Sequence, residues 1–480
     1  MSSRCAGPFV HIVLALFIAA TVAACADDNV FENKSLVATS GAQAAEKRFS
    51  GAGYTVGFVE ERRSDVLVIL AMSGGGKRSS AFSYGVLRGL RDYAITAAGK
   101  PTTLLAETDV ITAVSGGSFT AAYYGLYREK IFSDYEKEFL KQDINSYIYG
   151  MYLLPWNWRW MVSPNYGTND RMQQIYDQLM FKGATYADLI KRGPPMIWLG
   201  ATDISYGTSF SFNQYSFDML CSDLPSFPLA RAVAASNGFP VLFTPITLTS
   251  HSQDCGGTPA IVKKLRDYAQ SHPLSREAIF DREAESMSDP NKTRYVHLMD
   301  GGISDNLALR NVGNMMMLLQ IYPEYLTHPR WLATRRILIV SVDGQAAQDK
   351  SRAMNRTVSS LGQILDAVTG GQIDRYNEET MLLIKQQAEE FADSLEKARC
   401  AAARAIDGHP CGDVEATVVH LSLGAIADAA TRHRLGKIPT GLTVANEDVD
   451  ALVDAGTEVV RQSPDLQLFR SRLGSSRAPR

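Results

Sequence analysis

Residues 65–76, DVLVILAMSGGG, combine a short branched apolar run with three consecutive glycines. Apolar runs of this length are typical of strands that are buried on both faces of a parallel sheet. From Ser79 to Ala94 the apolar residues recur at helical spacing, so this part of the chain predicts a strand, a glycine turn and a helix. A second unit of this kind follows: TDVITAV at 108–114 predicts a strand, Ser115-Gly116-Gly117 a sharp turn, and 118–126 a helix.

Later segments extend the same alternation. Strands are predicted at 196–203, 295–299 and 336–342, with helical stretches between them such as Leu229–Ser236. Strands that alternate with helices predict an α/β fold, with a mostly parallel central sheet in a three-layer α/β/α arrangement.

The C-terminal third is predicted to be mainly helical. The pattern is helical from 352 to about 407, strand-like at 418–423, and amphipathic and helical at 446–461. Because no composition shift marks a boundary, we predict that residues 346–480 form an extension packed on the domain at 61–345.

The bulk composition is that of an ordinary globular protein. The chain has 480 residues, of which 45% are hydrophobic and 21% charged, and its formal net charge is -3. A slightly acidic chain has no global attraction to phosphate polymers, so nucleic-acid binding is not expected.

The first residues predict export. Arg4 is followed by an apolar stretch from Phe9 to Ala24, which is shorter than a spanning helix needs and is typical of a signal peptide at 1–24. A lone anchoring helix is the alternative. The ending Val-Ala-Ala-Cys resembles a bacterial lipoprotein box, which implies lipidation of Cys25, and Ala26 after it resembles lipoproteins of the outer membrane. We therefore predict a periplasm-facing envelope protein, attached to the membrane through Cys25 and a polar tether at 25–60.

Cysteine usage agrees with an oxidising compartment. After Cys5 and Cys25 are set aside, four cysteines remain: Cys221, Cys255, Cys400 and Cys411. The simplest of three pairings joins the members closest in sequence, and four buried free thiols are the alternative. No pair has the spacing of a zinc or thioredoxin-type site.

Ser115 is a candidate nucleophile. A serine between small residues at a strand-to-helix turn exposes its hydroxyl, although Ala113 stands where such turns usually have glycine. The structural alternative is a serine that caps the following helix.

Two further motifs point to acyl transfer. Gly74, Gly75 and Gly76 end the preceding strand, where backbone N–H groups can stabilise an oxyanion. A phosphate loop is the competing interpretation, but Ala71 and Arg78 occupy the wrong positions for it. Asp300 ends another predicted strand and precedes two glycines. Because the carboxyl ends of parallel strands share one edge of the sheet, Ser115, the glycine turn and Asp300 are expected to converge there. Nearby, Asp305-Asn306 is the better candidate for capping.

Three motifs, SGGGKR at 73–78, AVSGGS at 113–118 and DGGISDN at 300–306, follow in the order found in patatin-like phospholipases, which the chain resembles over 66–309. The segment AVAASNGFP at 232–240 also resembles that family. The resemblance implies a lipid acyl hydrolase of the phospholipase A or lysophospholipase type, with a membrane lipid as substrate. No cofactor is expected, and no metal either, because the sequence shows no cluster of ligands for one. The resemblance assigns these roles: Ser115 as nucleophile, Asp300 as general base, Gly74, Gly75, Gly76 and Gly116 as oxyanion donors, and Arg78 as a supporting cation.

Two other functions stay open. A conventional Ser-His-Asp esterase could be completed by His409, His420 or His433, whereas His297 is expected to be structural. A catalytically silent envelope lipoprotein could use the same scaffold for binding.

The segment 147–166 is rich in tyrosine and holds Trp156, Trp158 and Trp160. Such rings favour membrane interfaces, so the segment is predicted to be a lid or interfacial loop, with an aromatic core as the alternative. The oligomeric state is left open.

Overall fold

The structure is a computed structural model of the 480-residue chain. It describes residues 31–41, 48, 54–55, 59–60, 62–153, 166–240, 242–256, 260–346, 354, 356 and 361–474. The predicted signal peptide, Cys25 and the three tryptophans of the aromatic segment lie outside these ranges. Of that segment, Tyr149 and Leu153 are exposed, whereas Tyr166 is buried.

Within the described residues the main sheet has eight strands, in the order β12-β9-β1-β4-β5-β8-β7, and β6 pairs with β5. The strands of this sheet are β1 Val66–Met72, β4 Thr108–Val114, β5 Met196–Asp203, β6 Thr208–Phe212, β7 Ile246–Thr249, β8 Tyr295–Asp300, β9 Arg336–Asp343 and β12 Glu415–Ser422. Two small hairpins are formed by β2 Ala94–Ala97 with β3 Lys100–Thr103, and by β10 Ala405–Ile406 with β11 His409–Pro410.

The centre of the sheet is parallel and covered on both faces. Strands β12, β9, β1, β4 and β5 run in the same direction. Every residue of β1, β4 and β5 is buried, which requires helices on both sides. The predicted α/β/α class with a mostly parallel sheet is therefore confirmed.

The predicted direction of the strand that ends at Asp300 is wrong. β8 runs antiparallel to β5, with Ala201 opposite Asp300, and β7 is antiparallel to β8. Period-two alternation identifies a strand but not its direction, which is set by the connection that precedes it. Here the chain forms β7 before β8, and β8 then lies between β7 and β5 and runs antiparallel to both.

Each range that the sequence predicts to be helical contains a helix. The helices of the described residues are α1 Leu36–Ser40, α2 Gly76–Asp92, α3 Gly116–Tyr127, α4 Ile131–Tyr135, α5 Ile144–Leu153, α6 Thr168–Tyr176, α7 Tyr186–Arg192, α8 Gln214–Met219, α9 Leu229–Ser236, α10 Ala260–Ser271, α11 Arg276–Ser288, α12 Gly302–Asp305, α13 Arg310–Ile321, α14 Pro329–Ala333, α15 Leu361–Ala402, α16 Ala429–Gly436, α17 Asn446–Gln462 and α18 Pro464–Leu473. Both α2 and α3 start two or three residues earlier than the apolar spacing predicts, because their first residues, Gly76-Lys77-Arg78 and Gly116-Gly117, lie outside the apolar pattern. None of the described helices is both long and apolar enough to cross a membrane.

The C-terminal part is continuous with the sheet. β12 pairs in parallel with β9 along eight residues, so it begins three residues before the predicted strand. Helix α17 lies against α2 at glycine contacts: a Cβ on Gly85 would lie 2.1 Å from the carbonyl oxygen of Val453, and one on Gly456 would lie 2.3 Å from that of Phe82. These residues therefore complete the sheet and one of its helical layers.

The described residues of the N-terminal segment depart from the predicted tether at 25–60. Asn33 is buried, and its side chain bonds to Ser222 and to the backbone of Thr249. Tyr54 is also buried, and its hydroxyl accepts the N–H of Ile197. Polar composition suggested a solvated chain, but these polar groups bond to the body of the protein.

Two disulfides link the cysteines that are closest in sequence, Cys221 with Cys255 and Cys400 with Cys411. The first ties the end of α8 to the loop after β7. The second ties the last turn of α15 to the hairpin that follows it.

Candidate active site

Ser115 lies in a sharp turn between β4 and α3. Its backbone has φ 47° and ψ -124°, a left-handed conformation that costs a non-glycine residue about 1–3 kcal/mol and persists only where neighbours hold it. The N–H of Ser115 donates to Ser236 Oγ at 2.9 Å, and Ser236 in turn donates to the carbonyl of Gly200 at 2.6 Å. The strained turn is thus held from α9 and β5. Ala113, which stands where such turns usually have glycine, is buried in β4, and the sharp turn forms with it in place.

The side chains of Ser115 and Asp300 are in direct contact. The hydroxyl of Ser115 donates to Asp300 Oδ2 at 2.8 Å, and the N–H of Gly302 donates to the other carboxylate oxygen at 2.8 Å. Burial raises the pKa of Asp300 to about 6, and these two hydrogen bonds oppose the rise. The carboxyl group is therefore a base of near-neutral pKa that already holds the serine hydroxyl.

Sheet register explains why the two residues meet. Val114 is opposite Gly200 on β5, and Ala201, the next residue of β5, is opposite Asp300 on β8. Ser115 and Asp300 therefore end their strands at the same height, although they arrive from opposite directions. The sequence prediction that they converge agrees with the structure, but for a different reason from the one given.

Three of the four predicted oxyanion donors are available. Within the described part of the chain, the N–H groups of Gly75, Gly76 and Gly116 donate to no acceptor, as expected for residues at the first turns of helices. The two turns touch, since a Cβ on Gly116 would lie 2.0 Å from the carbonyl oxygen of Gly76. Backbone donors from α2 and α3 thus lie together beside the serine.

The structure removes Gly74 from the predicted donors. Its N–H donates to the backbone carbonyl of Asn306 at 3.0 Å. The motif shows how many glycines are present but not which N–H group is already bonded across the sheet.

Arg78 supports the glycine turn from behind. Its guanidinium is buried and donates to the carbonyls of Gly344 and Ile438 and to Thr440. Burial lowers the pKa of Arg78 to about 10, and the charge of Asp343 opposes this. The cation therefore joins the loops after β9 and before α17 to the start of α2.

Lys77 argues against a phosphate loop. Its ammonium donates to the carbonyl of Gln142 at 2.5 Å and lies 5.0 Å from the centre of the Phe139 ring. Burial lowers the pKa of Lys77 to about 8. A phosphate-binding lysine must reach the ligand held by the glycine turn, whereas this one is bonded to the segment between α4 and α5.

The hydrogen bonds of the Ser115 hydroxyl within the described residues include no histidine. His420 lies 3.2 Å from Ser341 Oγ and 3.8 Å from Asp343. His409 is near Asp413, and His297 bonds to Thr247. The described residues also contain no cluster of three or more His, Cys, Asp or Glu side chains that could hold a metal.

Sequence reasoning gave no catalytic role to two asparagines beside the dyad. Asn237 Oδ1 lies 3.4 Å from the Ser115 hydroxyl, and its amide nitrogen is 3.3 Å from the Tyr176 hydroxyl. Asn306 bonds to Gly74 as described above. Asp305 is the capping residue that its sequence predicted, since it accepts the N–H groups of Leu309 and Arg310. The resemblance of segment 232–240 to the family is a signal that could have pointed to Asn237 as a site residue. For Asn306 the sequence offers no such signal, because it stands beside Asp305 in the same predicted capping pair.

Comparison with known proteins gives a family model and matches among solved structures. A family model described as "Patatin-like phospholipase" matches residues 70–312. No curated protein sequence matches the chain. Among solved structures, human GIVD cytosolic phospholipase A2 is similar over 93% of this chain and 68% of its own, at 12% identity and a TM-score of 0.38.

Proposed function

The chain belongs to the patatin-like phospholipase family, and on this basis we propose that it is a serine hydrolase that cleaves carboxylic esters of membrane lipids through Ser115 and Asp300. The observation that carries the proposal is the 2.8 Å hydrogen bond from the Ser115 hydroxyl to a buried carboxylate. A phospholipase A or lysophospholipase activity fits this chemistry.

The dyad would work without a histidine. As Ser115 Oγ attacks the ester carbonyl carbon, its proton passes to Asp300, and the N–H groups of Gly75, Gly76 and Gly116 stabilise the oxyanion. Collapse of the tetrahedral intermediate expels the alcohol, which takes the proton from Asp300. An acyl group then remains on Ser115, and water hydrolyses it in a second step.

Exposed apolar side chains near the dyad support a lipid substrate. Phe239 and Leu242 follow Asn237, and Ile303 follows Asp300 by three residues. Each is about half exposed, at 51%, 55% and 48%. Side chains of this kind around a buried polar dyad suit an ester with long acyl chains that is drawn from a lipid surface.

We also propose that Cys25 is lipidated and that it holds the end of the sheet that carries Ser115 and Asp300 toward the outer membrane. Asn33, eight residues after Cys25, is fixed to Thr249. Thr249 pairs with Tyr295, which precedes Asp300 on β8 and lies beyond the carboxyl end of β5, on the side of the sheet that holds Ser115. Eight extended residues span at most about 29 Å, so the anchor would keep the catalytic end of the sheet close to the leaflet. Intact mass of the envelope-extracted protein tests this: the acyl groups should be lost in Cys25→Ser.

The catalytic proposal is tested by labelling with a fluorophosphonate and by turnover of a short-chain ester and of phospholipid vesicles. Ser115→Ala should lose the label and at least about 1000-fold in turnover, whereas the surface variant Ser133→Ala should match the wild type. His420→Ala should keep both activities. A folded His420→Ala protein without turnover would favour the conventional triad, and a wild type that takes no label would favour a silent binding protein.

A further inference from the structure

The side chain of Asn306 lies close to the dyad. Its Oδ1 lies 2.5 Å from the point where a Cβ on Gly74 would stand, and the same point is 3.3 Å from Ser115 Cβ. A Cβ on Gly302 would lie 3.0 Å from both Asn306 Oδ1 and Asp300 Oδ1. Two side-chain oxygens therefore flank the space beside Gly302, next to the nucleophile.

Hydrogen bonds outside the site decide which end of this amide faces the dyad. Asp374 on α15 can only accept when ionised, so it fixes Gln345 with its Nε2 toward the carboxylate. Gln345 Oε1 then accepts from the Nδ2 of Asn377 at 2.6 Å and from the Nδ2 of Asn306 at 2.8 Å. With its nitrogen committed to Gln345, Asn306 must present its oxygen to Ser115 and Asp300.

That oxygen has no donor among the described hydrogen bonds, although Asn306 is only 7% exposed. An oxygen in this position would repel an oxyanion, so it does not belong to the donor side of the site formed by Gly75, Gly76 and Gly116. An acceptor without a donor from the protein takes its hydrogen bond from a group with O–H bonds to donate. Water is such a group, and the second half of the proposed reaction requires one.

We propose that Asn306 Oδ1 and Asp300 together bind the water that hydrolyses the acyl-enzyme, and that Gln345 and Asp374 are positioning residues for Asn306. The water would donate one O–H to each residue, which leaves a lone pair for the acyl carbon. Its oxygen forms the new bond to that carbon, and the proton of the O–H bond that breaks passes to Asp300. The tetrahedral intermediate then expels Ser115 Oγ, which takes the proton from Asp300, and the carboxylic acid is released. This inference rests on the proposed dyad.

The distinguishing measurement separates acylation from deacylation. With a p-nitrophenyl ester in stopped flow, the fast release of nitrophenol reports acylation and the steady state reports deacylation. For Asn306→Ala we expect a burst rate within about 3-fold of the wild type and a steady state slower by about 10- to 100-fold, as for a misplaced reactant. The acyl-enzyme should accumulate in intact mass spectra. Hydroxylamine, which does not need the water site, should restore turnover of Asn306→Ala relative to the wild type.

Asp374, which lies farther from the dyad, provides a second test, because replacing it leaves the residues of the dyad and of the water site in place. Asp374→Asn lets the amide of Gln345 turn, and we expect its deacylation to slow by about 3- to 30-fold, a range typical of residues that act through a network. Glu378→Gln, on an exposed side chain of the same helix, is the matched control and should behave as the wild type. The water site would be overturned if Asn306→Ala or Asp374→Asn slowed the burst as much as the steady state. It would also be overturned if neither of these two variants slowed deacylation. A wild type that forms no covalent adduct at Ser115, with either the ester or a fluorophosphonate, would instead overturn the dyad.

Discussion

Replacing Asp300 by asparagine should abolish turnover and yet stabilise the fold at neutral pH. The asparagine side chain has nearly the same shape as the aspartate it replaces. Its oxygen can accept the N–H of Gly302, and its nitrogen can donate to Ser115 Oγ, which reverses the direction of the bond that the carboxylate accepts. What disappears is a charge buried in a site 7% exposed to solvent.

The magnitude follows from the pKa. Burial raises the pKa of Asp300 from 3.8 to about 6, and each pKa unit corresponds to about 1.36 kcal/mol, so the ionised group costs the folded state about 3 kcal/mol. The folded protein holds the proton until about pH 6, whereas the unfolded chain loses it near 3.8. The wild type therefore loses stability relative to Asp300→Asn as the pH rises through this window, and above it the difference is constant.

The assay is the midpoint of thermal unfolding for both proteins between pH 4 and pH 8. An unfolding entropy of about 2.1 cal/mol/K per residue corresponds to about 1 kcal/mol/K for this chain, so the variant should gain about 3 °C at pH 8 relative to pH 4. The comparison across pH cancels any effect of the substitution that does not depend on charge. A difference in midpoint that stays constant from pH 4 to pH 8 would refute the buried, near-neutral carboxyl group.

Three further outcomes are expected. Because Asp300 must be ionised to act as base, kcat/KM for a soluble ester should fall about tenfold per pH unit below pH 6; a rate that is flat down to pH 4 would exclude it as the base. Gly85→Ala places a Cβ against Val453 of α17 and should lower the free energy of unfolding by about 1–3 kcal/mol, unlike Gly474→Ala, whose added Cβ meets nothing within 4 Å; equal urea midpoints would contradict the close helix contact. Changing Cys400 and Cys411 to serine opens a loop of 11 residues and should cost about 3 kcal/mol in the same titration, whereas an unchanged midpoint would show that this disulfide adds nothing to stability.

The sequence predicted those features that depend on local chemistry. Runs rich in branched residues, such as 66–72 and 108–114, predicted the buried strands, because a strand covered on both faces is mostly apolar. The three motifs also identified Ser115 and Asp300, since each motif is a strand end followed by glycines.

Local patterns were insufficient where distant groups compete for the same backbone. The polar N-terminal segment looked solvated, but Asn33 finds its partners more than 180 residues away. Gly74 looked equivalent to Gly75 and Gly76, but its N–H is bonded to Asn306, on the turn after β8. No feature of a run of three glycines could distinguish these cases.

By itself, the sequence determined which residues could react and that they stand at the ends of strands. Both properties depend only on the type of side chain and on the spacing of residues within a short segment. Tertiary structure alone decided that β8 runs antiparallel to β5, with Asp300 level with Ser115. It alone decided that, within the described residues, the N–H groups of Gly75, Gly76 and Gly116 and the side-chain oxygen of Asn306 stay unbonded beside the dyad. The physical reason is that strand direction, register and hydrogen-bond satisfaction are properties of the whole sheet, in which each group is settled by partners far away in the chain.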